Sequence, residues 1–333
     1  MNVLVTGGAG YIGSHTCKAL AKAGLTPITY DNLSTGHKWA VRWGPLVIGD
    51  LRDRSLLRST MRNHAVKAVF HFAANSAVGE SVQNPRKYYG NNLVNSVGLF
   101  DAMLDIGVKR IVFSSTCATY GDPQSEFLDE THPQSPVNPY GETKMAIERA
   151  LQWYGKAYGI EWVSLRYFNA AGADENGEIG EQHEPETHLI PLVLEAALNA
   201  AQPVHIFGTD YPTPDGTAIR DYIHVADLAD AHVRALRFLE SGAASTALNL
   251  GTGRGYSVRE VIAAVERATG RTVSVIEAGR RAGDPPRLVA AADRANAELK
   301  WQTWRSLDNI VQSAWLWRIG FESRRLRSIG RAS

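Results

Sequence analysis

The run Thr6-Gly7-Gly8-Ala9-Gly10-Tyr11-Ile12-Gly13 constrains this chain more than any other feature. Its glycines at 7, 10 and 13 stand directly between a β-rich segment, Asn2–Thr6, and a helical pattern, Ile12–Ala23. A chain that leaves a strand and enters a helix this abruptly must turn tightly. A side chain at the central glycine would block the approach of a pyrophosphate, and free amides at the helix start face negative charge. Glycine-rich turns are common, and it is the strand–turn–helix context that points to a dinucleotide site. Asp31 follows the second strand candidate, 18 residues after Gly13. A carboxylate there accepts hydrogen bonds from an adenosine ribose and repels a 2′-phosphate, which selects NAD over NADP. Asp31-Asn32 is also good turn chemistry, so a purely local role stays open. Asp50, after the third strand candidate, faces the adenine side or serves only its own turn.

Short strand candidates alternate with helical stretches through the first half. The strands are Asn2–Thr6, Pro27–Tyr30, Pro45–Ile48, Ala68–Phe72, Arg110–Ser114 and Glu161–Tyr167. The helices include Ile12–Ala23, Arg54–Asn63, Asn92–Ile106 and Tyr140–Tyr158. This alternation predicts an α/β fold, a doubly wound, Rossmann-like parallel sheet covered on both faces. Ile111–Phe113 is apolar throughout, as a strand buried on both sides should be. After Asn169 a loop rich in Gly, Glu and His is followed by mixed candidates. These are Leu189–Ala200, Val204–Phe207, Tyr222–Val225, Asp227–Leu239, Ala247–Leu250, Val258–Thr269 and Val273–Ile276. They predict a second, smaller mixed α/β lobe. At roughly 150 residues per domain the length suits two domains. The motifs interleave them: residues 1–168 with about 221–245 form the NAD lobe, and about 169–220 with 246–325 form the other. Residues 326–333 are expected to be a frayed tail.

The formal charge of +1 hides a split, because residues 318–333 carry five arginines and one glutamate, or +4, leaving −3 for the remainder. That body lacks the basic face a nucleic-acid binder needs. Two cysteines cannot build a disulfide framework and suit a reducing, cytoplasmic setting. No apolar run reaches the ~18–20 residues of a membrane helix, and Met1–Thr6 does not look like a signal peptide. The stretch Glu181-Gln182-His183-Glu184-Pro185-Glu186-Thr187-His188 lacks the spacing of a helical zinc site, and Pro185 breaks a helix. It is expected to be a solvated loop, with no metal. Trp301, Trp304, Trp315 and Trp317 are expected to pack the second lobe.

The second strong signal is Tyr140-Gly141-Glu142-Thr143-Lys144, preceded by Pro139, which suits a first helical turn. Tyr140 and Lys144 are four apart and share a helical face. A lysine charge near a phenol lowers the tyrosine pKa and makes a general base. A lone pair of this kind is usually surface decoration. Here the strand Arg110–Phe113 also runs into Ser114-Ser115-Thr116, which puts hydroxyls at the crest of a parallel sheet. Thr116 either bridges a substrate hydroxyl and the tyrosine or satisfies its own turn.

Gly7/Gly10/Gly13, Asp31, His71-Phe72-Ala73-Ala74, Thr116 and Tyr140/Lys144 together resemble the extended short-chain dehydrogenase/reductase family. Further strings, Tyr88-Tyr89-Gly90-Asn91-Asn92, Leu165-Arg166-Tyr167-Phe168-Asn169, Phe207-Gly208-Thr209-Asp210-Tyr211, Arg220-Asp221-Tyr222-Ile223-His224-Val225 and Arg280-Arg281-Ala282-Gly283-Asp284, narrow the resemblance. They match its 4-epimerases, which interconvert UDP-glucose and UDP-galactose, from Met1 to about Trp317. The resemblance implies tightly bound NAD, transient oxidation at sugar carbon 4, a 4-keto intermediate and hydride return to the opposite face. It implies Tyr140 as the base, Lys144 on the nicotinamide ribose and Thr116 in proton transfer. On the NAD side it adds Tyr11, Ile12, Asn32, Leu51, Phe72, Ala73, Ala74, Asn91, Ser114 and Tyr167. For the UDP-sugar it implies Asn169, His188, Leu189, Phe207, Arg220, Arg281 and Asp284. Guanidinium forks suit the diphosphate, although Arg220-Asp221 and Arg281/Asp284 also read as simple loop ion pairs. It further implies a homodimer that pairs Asn92–Ile106 and Tyr140–Tyr158.

Several positions depart from the pattern. His188 stands where asparagine is often found, Ser76 replaces a lysine and Thr116 replaces serine. Cys117-Ala118 occupy the place of the acidic pair that drives elimination in sugar-nucleotide dehydratases. Leu288 lies where side-chain bulk limits N-acetylated sugars, and it is smaller than tyrosine, so UDP-N-acetylhexosamines become candidate substrates. A pentose or uronate epimerase, or a non-enzymatic NAD-binding regulator on the same scaffold, stays open.

Overall fold

The computed structural model of the protein describes residues 1–281 and 283–329. Its first half is β1 (Asn2–Thr6), α1 (Tyr11–Lys22), β2 (Thr26–Asp31), β3 (Leu46–Ile48), α2 (Arg54–Asn63), β4 (Ala68–His71), α3 (Val78–Gln83), α4 (Pro85–Tyr88), α5 (Asn95–Ile106), β5 (Arg110–Thr116), α6 (Pro139–Tyr158) and β6 (Glu161–Tyr167). Then come β7 (Asn169–Ala171), α7 (Leu189–Leu198), β8 (Val204–Phe207), β9 (Ile219–His224), α8 (Val225–Glu240), β10 (Thr246–Leu250), β11 (Gly255–Ser257), α9 (Val258–Thr269), β12 (Val275–Ala278), β13 (Arg287–Leu288), α10 (Asp293–Leu299) and α11 (Leu307–Ile329).

The large sheet has the order β10-β6-β5-β4-β1-β2-β3, and every pair in it is parallel. Alternate residues of one strand feed opposite cores, as the period of two requires. Val3 and Val5 meet Leu20 of α1 and Leu228 and Leu236 of α8, while Leu4 meets Leu57 of α2, Leu99 of α5 and Leu151 of α6. Both faces are therefore covered, and the expected doubly wound parallel sheet is the fold that forms. A smaller lobe carries the mixed sheet β11-β9-β13, with β7 against β9, and the pair β12-β8. Its own core joins α7, α9 and α11 through Ile190, Val193, Val261, Val265 and Ile310. Local signals set the ends of α9. Ser257 and Glu260 form a reciprocal capping box, and Gly270 closes the helix at φ 66°.

Four boundaries differ from expectation. β10, expected in the second lobe, pairs with β6 as the last strand of the large sheet, and Trp301 packs into that sheet's core. β9, expected to return to the NAD lobe, belongs to the mixed sheet, so the crossing back begins at α8. Residues 326–329, expected to fray, continue α11, and residues 330–333 lie outside the described residues. The helix expected from Asn92 starts at Asn95, after a wide π-helical turn, Tyr89–Val94.

Candidate active site

The glycine loop sits at the carboxyl ends of β1 and β4, the neighbours at which the strand order reverses. Gly7 adopts φ +73°, and a Cβ there would lie 2.6 Å from the Ala73 amide nitrogen. A Cβ on Gly13 would lie 2.2 Å from the Gly7 carbonyl oxygen. These two glycines let loop, helix and neighbouring strand close on one another. Gly10 differs: its Cβ would meet only that same carbonyl, at 3.3 Å, and Gly10 lines an open cleft. It also caps α1 without any side-chain bond to the first-turn amides, which leaves them for an anion.

Asp31 ends β2 on the same cleft. Its Oδ2 accepts the Ala9 amide at 3.0 Å and its Oδ1 the Leu33 amide at 2.8 Å. Burial raises its pKa, and the two amides pull it down. The local turn role and the cleft-lining role therefore coexist. Asn32 donates to Asp50 Oδ2 at 2.9 Å. The Arg52 guanidinium holds the Asp50 carboxyl down at about 2, against partial burial. Asp50, Leu51, Phe72, Ala73, Ala74 and Asn91 all line the cleft. Ser34, Thr35 and Gly36 line it too, beyond the residues the motifs mark, and their signal is position, directly after the acidic end of β2. Tyr11 departs from expectation, because its hydroxyl donates to the Gly172 carbonyl at 2.6 Å and its ring packs edge-on to His183. Only its backbone stays with the glycine loop. An uncapped helix start, glycines free of side chains and a carboxylate at the end of β2 fit a dinucleotide.

The reactive side chains converge at the crest of β5. Asn138 caps α6 by accepting the Gly141 amide at 2.9 Å, and Pro139 opens the helix. A Cβ on Gly141 would lie 2.3 Å from the Ala118 carbonyl oxygen, so this glycine lets α6 press onto the segment after β5. That contact seats half-buried Tyr140 near Thr116. The enclosing protein pushes the Tyr140 phenol up to about 12, and the Thr116 hydroxyl opposes this. Lys144 Nζ donates to the Ser114 carbonyl at 2.7 Å and lies 4.8 Å from the Phe113 ring centre and 5.9 Å from that of Tyr140. Burial holds the Lys144 ammonium down at about 7, with Glu148 opposing. The expected lowering of Tyr140 by Lys144 is thus not what the protein supplies by itself. The lysine spends its hydrogen bond on strand β5, and burial weakens its own charge. Tyr167, buried beside them, shares a short hydrogen bond with Ser114 Oγ.

The substrate-side residues lie on the smaller lobe. Arg220, on β9, bonds the carbonyls of Ile219 and Pro285, each at 2.9 Å, and pairs with Asp284 at 3.1 Å. The loop pairing differs from expectation, because Arg220 pairs with Asp284 rather than with Asp221, whose carboxylate accepts the Thr252 and Gly253 amides. Arg281 stacks 3.8 Å above the Phe207 ring. Asn169 donates to the Asp221 carbonyl at 3.0 Å. His188 turns Nδ1 toward Glu181 Oε1, at 2.7 Å, so carboxylates rather than an open pocket face this nitrogen. Leu189 begins α7 immediately after it. Leu288 packs against the buried cluster of Tyr120, Leu128, Phe168 and Ala290, as Cys117 does.

Fold and site together define a class, and known proteins agree. The family model for the NAD dependent epimerase/dehydratase family matches residues 3–251, and the chain belongs to this family. A UDP-glucose 4-epimerase of Rhizobium meliloti (strain 1021) is 53% identical over 316 residues, covering 95% of this chain and 96% of its own length. The crystal structure of UDP-glucose 4-epimerase from Brucella ovis in complex with NAD superposes with a TM-score of 0.93 at 52% identity, covering 94% of this chain and 97% of that one. The UDP-Glc/GlcNAc 4-epimerase of Campylobacter jejuni gives 0.84 at 40% identity, with 96% and 99% covered. The resemblance read from the motifs is borne out.

Proposed function

We propose that the protein interconverts UDP-glucose and UDP-galactose by oxidising and re-reducing sugar carbon 4, using bound NAD. The observation that carries this reading is the grouping of Tyr140, Thr116 and Lys144 at the end of β5, beside a cleft built for a dinucleotide. Relatives about half identical over nearly the whole chain support it. Bound NAD supplies a positively charged hydride acceptor that then serves as the donor. Glycine-loop amides and Asp31 hold its pyrophosphate and adenosine ribose. Tyr140 Oη takes the proton of the 4-hydroxyl, relayed through Thr116 Oγ1, and returns it at the end of the cycle. Arg220 and Arg281 grip the diphosphate, which leaves the sugar free to turn its other face to the same site. Cys117 and Ala118 offer no acid–base pair after Thr116, so the keto sugar is not driven to eliminate.

Residues 1–168 with the α8 return form the cofactor lobe in this reading, extended by β10. The active species is a homodimer. Its pairing surface is the outer side of α6, where Trp153 and Tyr158 are 68% and 55% exposed, together with the adjoining Val94 turn, 56% exposed. No helix among the described residues is long and apolar enough to cross a membrane. The scarcity of cysteine favours the cytoplasm, which fractionation of native cells checks.

The test is incubation of purified protein with UDP-galactose and no added NAD. UDP-glucose should appear by NMR, made by the dimer fraction of a sizing column. No conversion by protein shown to hold NAD overturns the reading, and activity confined to monomer overturns the dimer.

Leu288 sets the sugar range. It packs against the same cluster of Tyr120, Leu128, Phe168 and Ala290 as Cys117, the neighbour of Thr116, and leucine leaves room that tyrosine fills. Leu288→Tyr should suppress turnover of UDP-N-acetylglucosamine by about tenfold or more and spare UDP-galactose. Equal loss on both substrates would refute this role.

A further inference from the structure

The loop between β7 and α7 holds a cluster that the reaction above does not use. Glu181, His183, Glu186 and His188 each offer one ligand atom, and these atoms all lie within 4.8 Å of one another. His183 Nδ1 stands 3.3 Å from Glu181 Oε1 and 3.6 Å from Glu186 Oε2. His188 Nδ1 stands 2.7 Å from Glu181 Oε1 and 3.4 Å from Glu186 Oε1. Donors at about 2.0–2.1 Å from one tetrahedral centre lie roughly 3.3 Å apart, close to these separations.

A second observation points the same way. The Glu181 side chain is only 6% exposed, yet its Oε1 is buried with no hydrogen-bond partner, and so is His183 Nδ1. The imidazole nitrogens stand at ion-pair distance from this carboxylate oxygen without a well-aligned hydrogen bond to it. A carboxylate buried this deeply calls for a cationic partner, and a metal ion held by the same four side chains would take the place of the imidazole protons. Two imidazoles and two carboxylates form a mixed nitrogen and oxygen set. That set suits zinc-type ions better than magnesium or calcium, which prefer oxygen alone.

We propose that Glu181, His183, Glu186 and His188 bind one divalent transition-metal ion of the zinc class. The site is structural and stands apart from the chemistry at Tyr140. It lies on the seam between the lobes. His37 Nε2 contacts the Gln182 carbonyl at 3.1 Å, Trp317 Nε1 donates to the Glu181 carbonyl at 3.2 Å, and the Tyr11 ring packs on His183. The ion clips the loop that leads into α7 against the first helix of one lobe and the last helix of the other. The helical two-histidine spacing expected of a zinc site does not apply, because a folded loop gathers these ligands.

The test uses tag-free full-length protein with its NAD, stripped with a chelator and titrated with zinc chloride against a competing indicator dye. One zinc per chain should bind and raise the Tm by several degrees. His183→Ala with His188→Ala should weaken binding about 100-fold and remove the Tm gain. X-ray absorption of the wild-type zinc form, which needs no variant, should show two imidazole nitrogens and no sulfur. Absence of zinc binding at about 10 µM free ion, sulfur ligation by Cys17 or Cys117, or wild-type affinity in the double variant overturns the site.

Discussion

Tyr140→Phe should cut turnover of UDP-galactose by about 10³-fold while NAD content and substrate affinity stay within about threefold. Phenylalanine keeps the ring that packs at the head of α6 and deletes only the oxygen whose pKa the Thr116 hydroxyl lowers. A loss in kcat with KM held marks a group needed in the transition state rather than for binding. Turnover within tenfold of wild type would remove Tyr140 as the base. Thr116→Val gives the companion result. Its hydroxyl is the group that lowers the Tyr140 phenol, while enclosure raises it to about 12. Removing the hydroxyl raises the phenol further, so the rising limb of the pH–rate profile should move to higher pH. A limb that stays in place or moves toward acid would contradict the pairing.

Reading the sequence alone located the cofactor loop because local rules govern it. Strand, turn glycines and helix follow one another without interruption, and Gly7 and Gly13 each sit where a Cβ would collide with backbone. The same holds for Asn138-Pro139-Tyr140, where cap, first turn and base are adjacent. Non-local pairing was the harder part. β10 joins the large sheet by pairing Leu248 with Leu165, and nothing in the Ala247–Leu250 run says which lobe will claim it. The electrostatics of Lys144 were equally hidden. Four-residue spacing placed it beside Tyr140, but only the fold turns Nζ onto the Ser114 carbonyl and buries it. The role of Gly141 is hidden in the sequence for a related reason. Its value lies in an approach to the Ala118 carbonyl, a partner far from it along the chain. The histidine and glutamate loop read as solvated because its residues are polar, whereas the fold closes Tyr11 and Trp317 over it.

Arg166→Met should destabilise the protein by about 3–5 kcal/mol, measured as the shift of the urea unfolding curve. Arg166 and Glu148 are 5% and 1% exposed. The guanidinium Nη2 and Nε reach Glu148 Oε2 and Oε1 at 2.5 and 3.0 Å, and Nη1 donates to the Tyr120 hydroxyl at 3.0 Å. Ser115 Oγ and Gln134 Nε2 donate to the same carboxylate, at 2.5 and 3.0 Å. Removing the arginine leaves those two neutral donors to hold a buried charge, and they cannot replace its loss. Arg166→Met combined with Glu148→Gln removes the charge itself and should recover more than half of the lost stability. A single-variant loss below about 1 kcal/mol, or no recovery in the double variant, would show that the pair does not carry this part of the fold. The consequence reaches the chemistry through geometry. Glu148 lies one helical turn beyond Lys144 on α6, Ser115 lies between Ser114 and Thr116 on β5, and Arg166 lies on β6 beside it. One buried ion pair therefore fixes the helix that carries the base against the two strands that carry its partners. Arg166→Met should lower kcat several-fold even at temperatures where the chain stays folded, and rescue of stability by the double variant should bring much of that rate back.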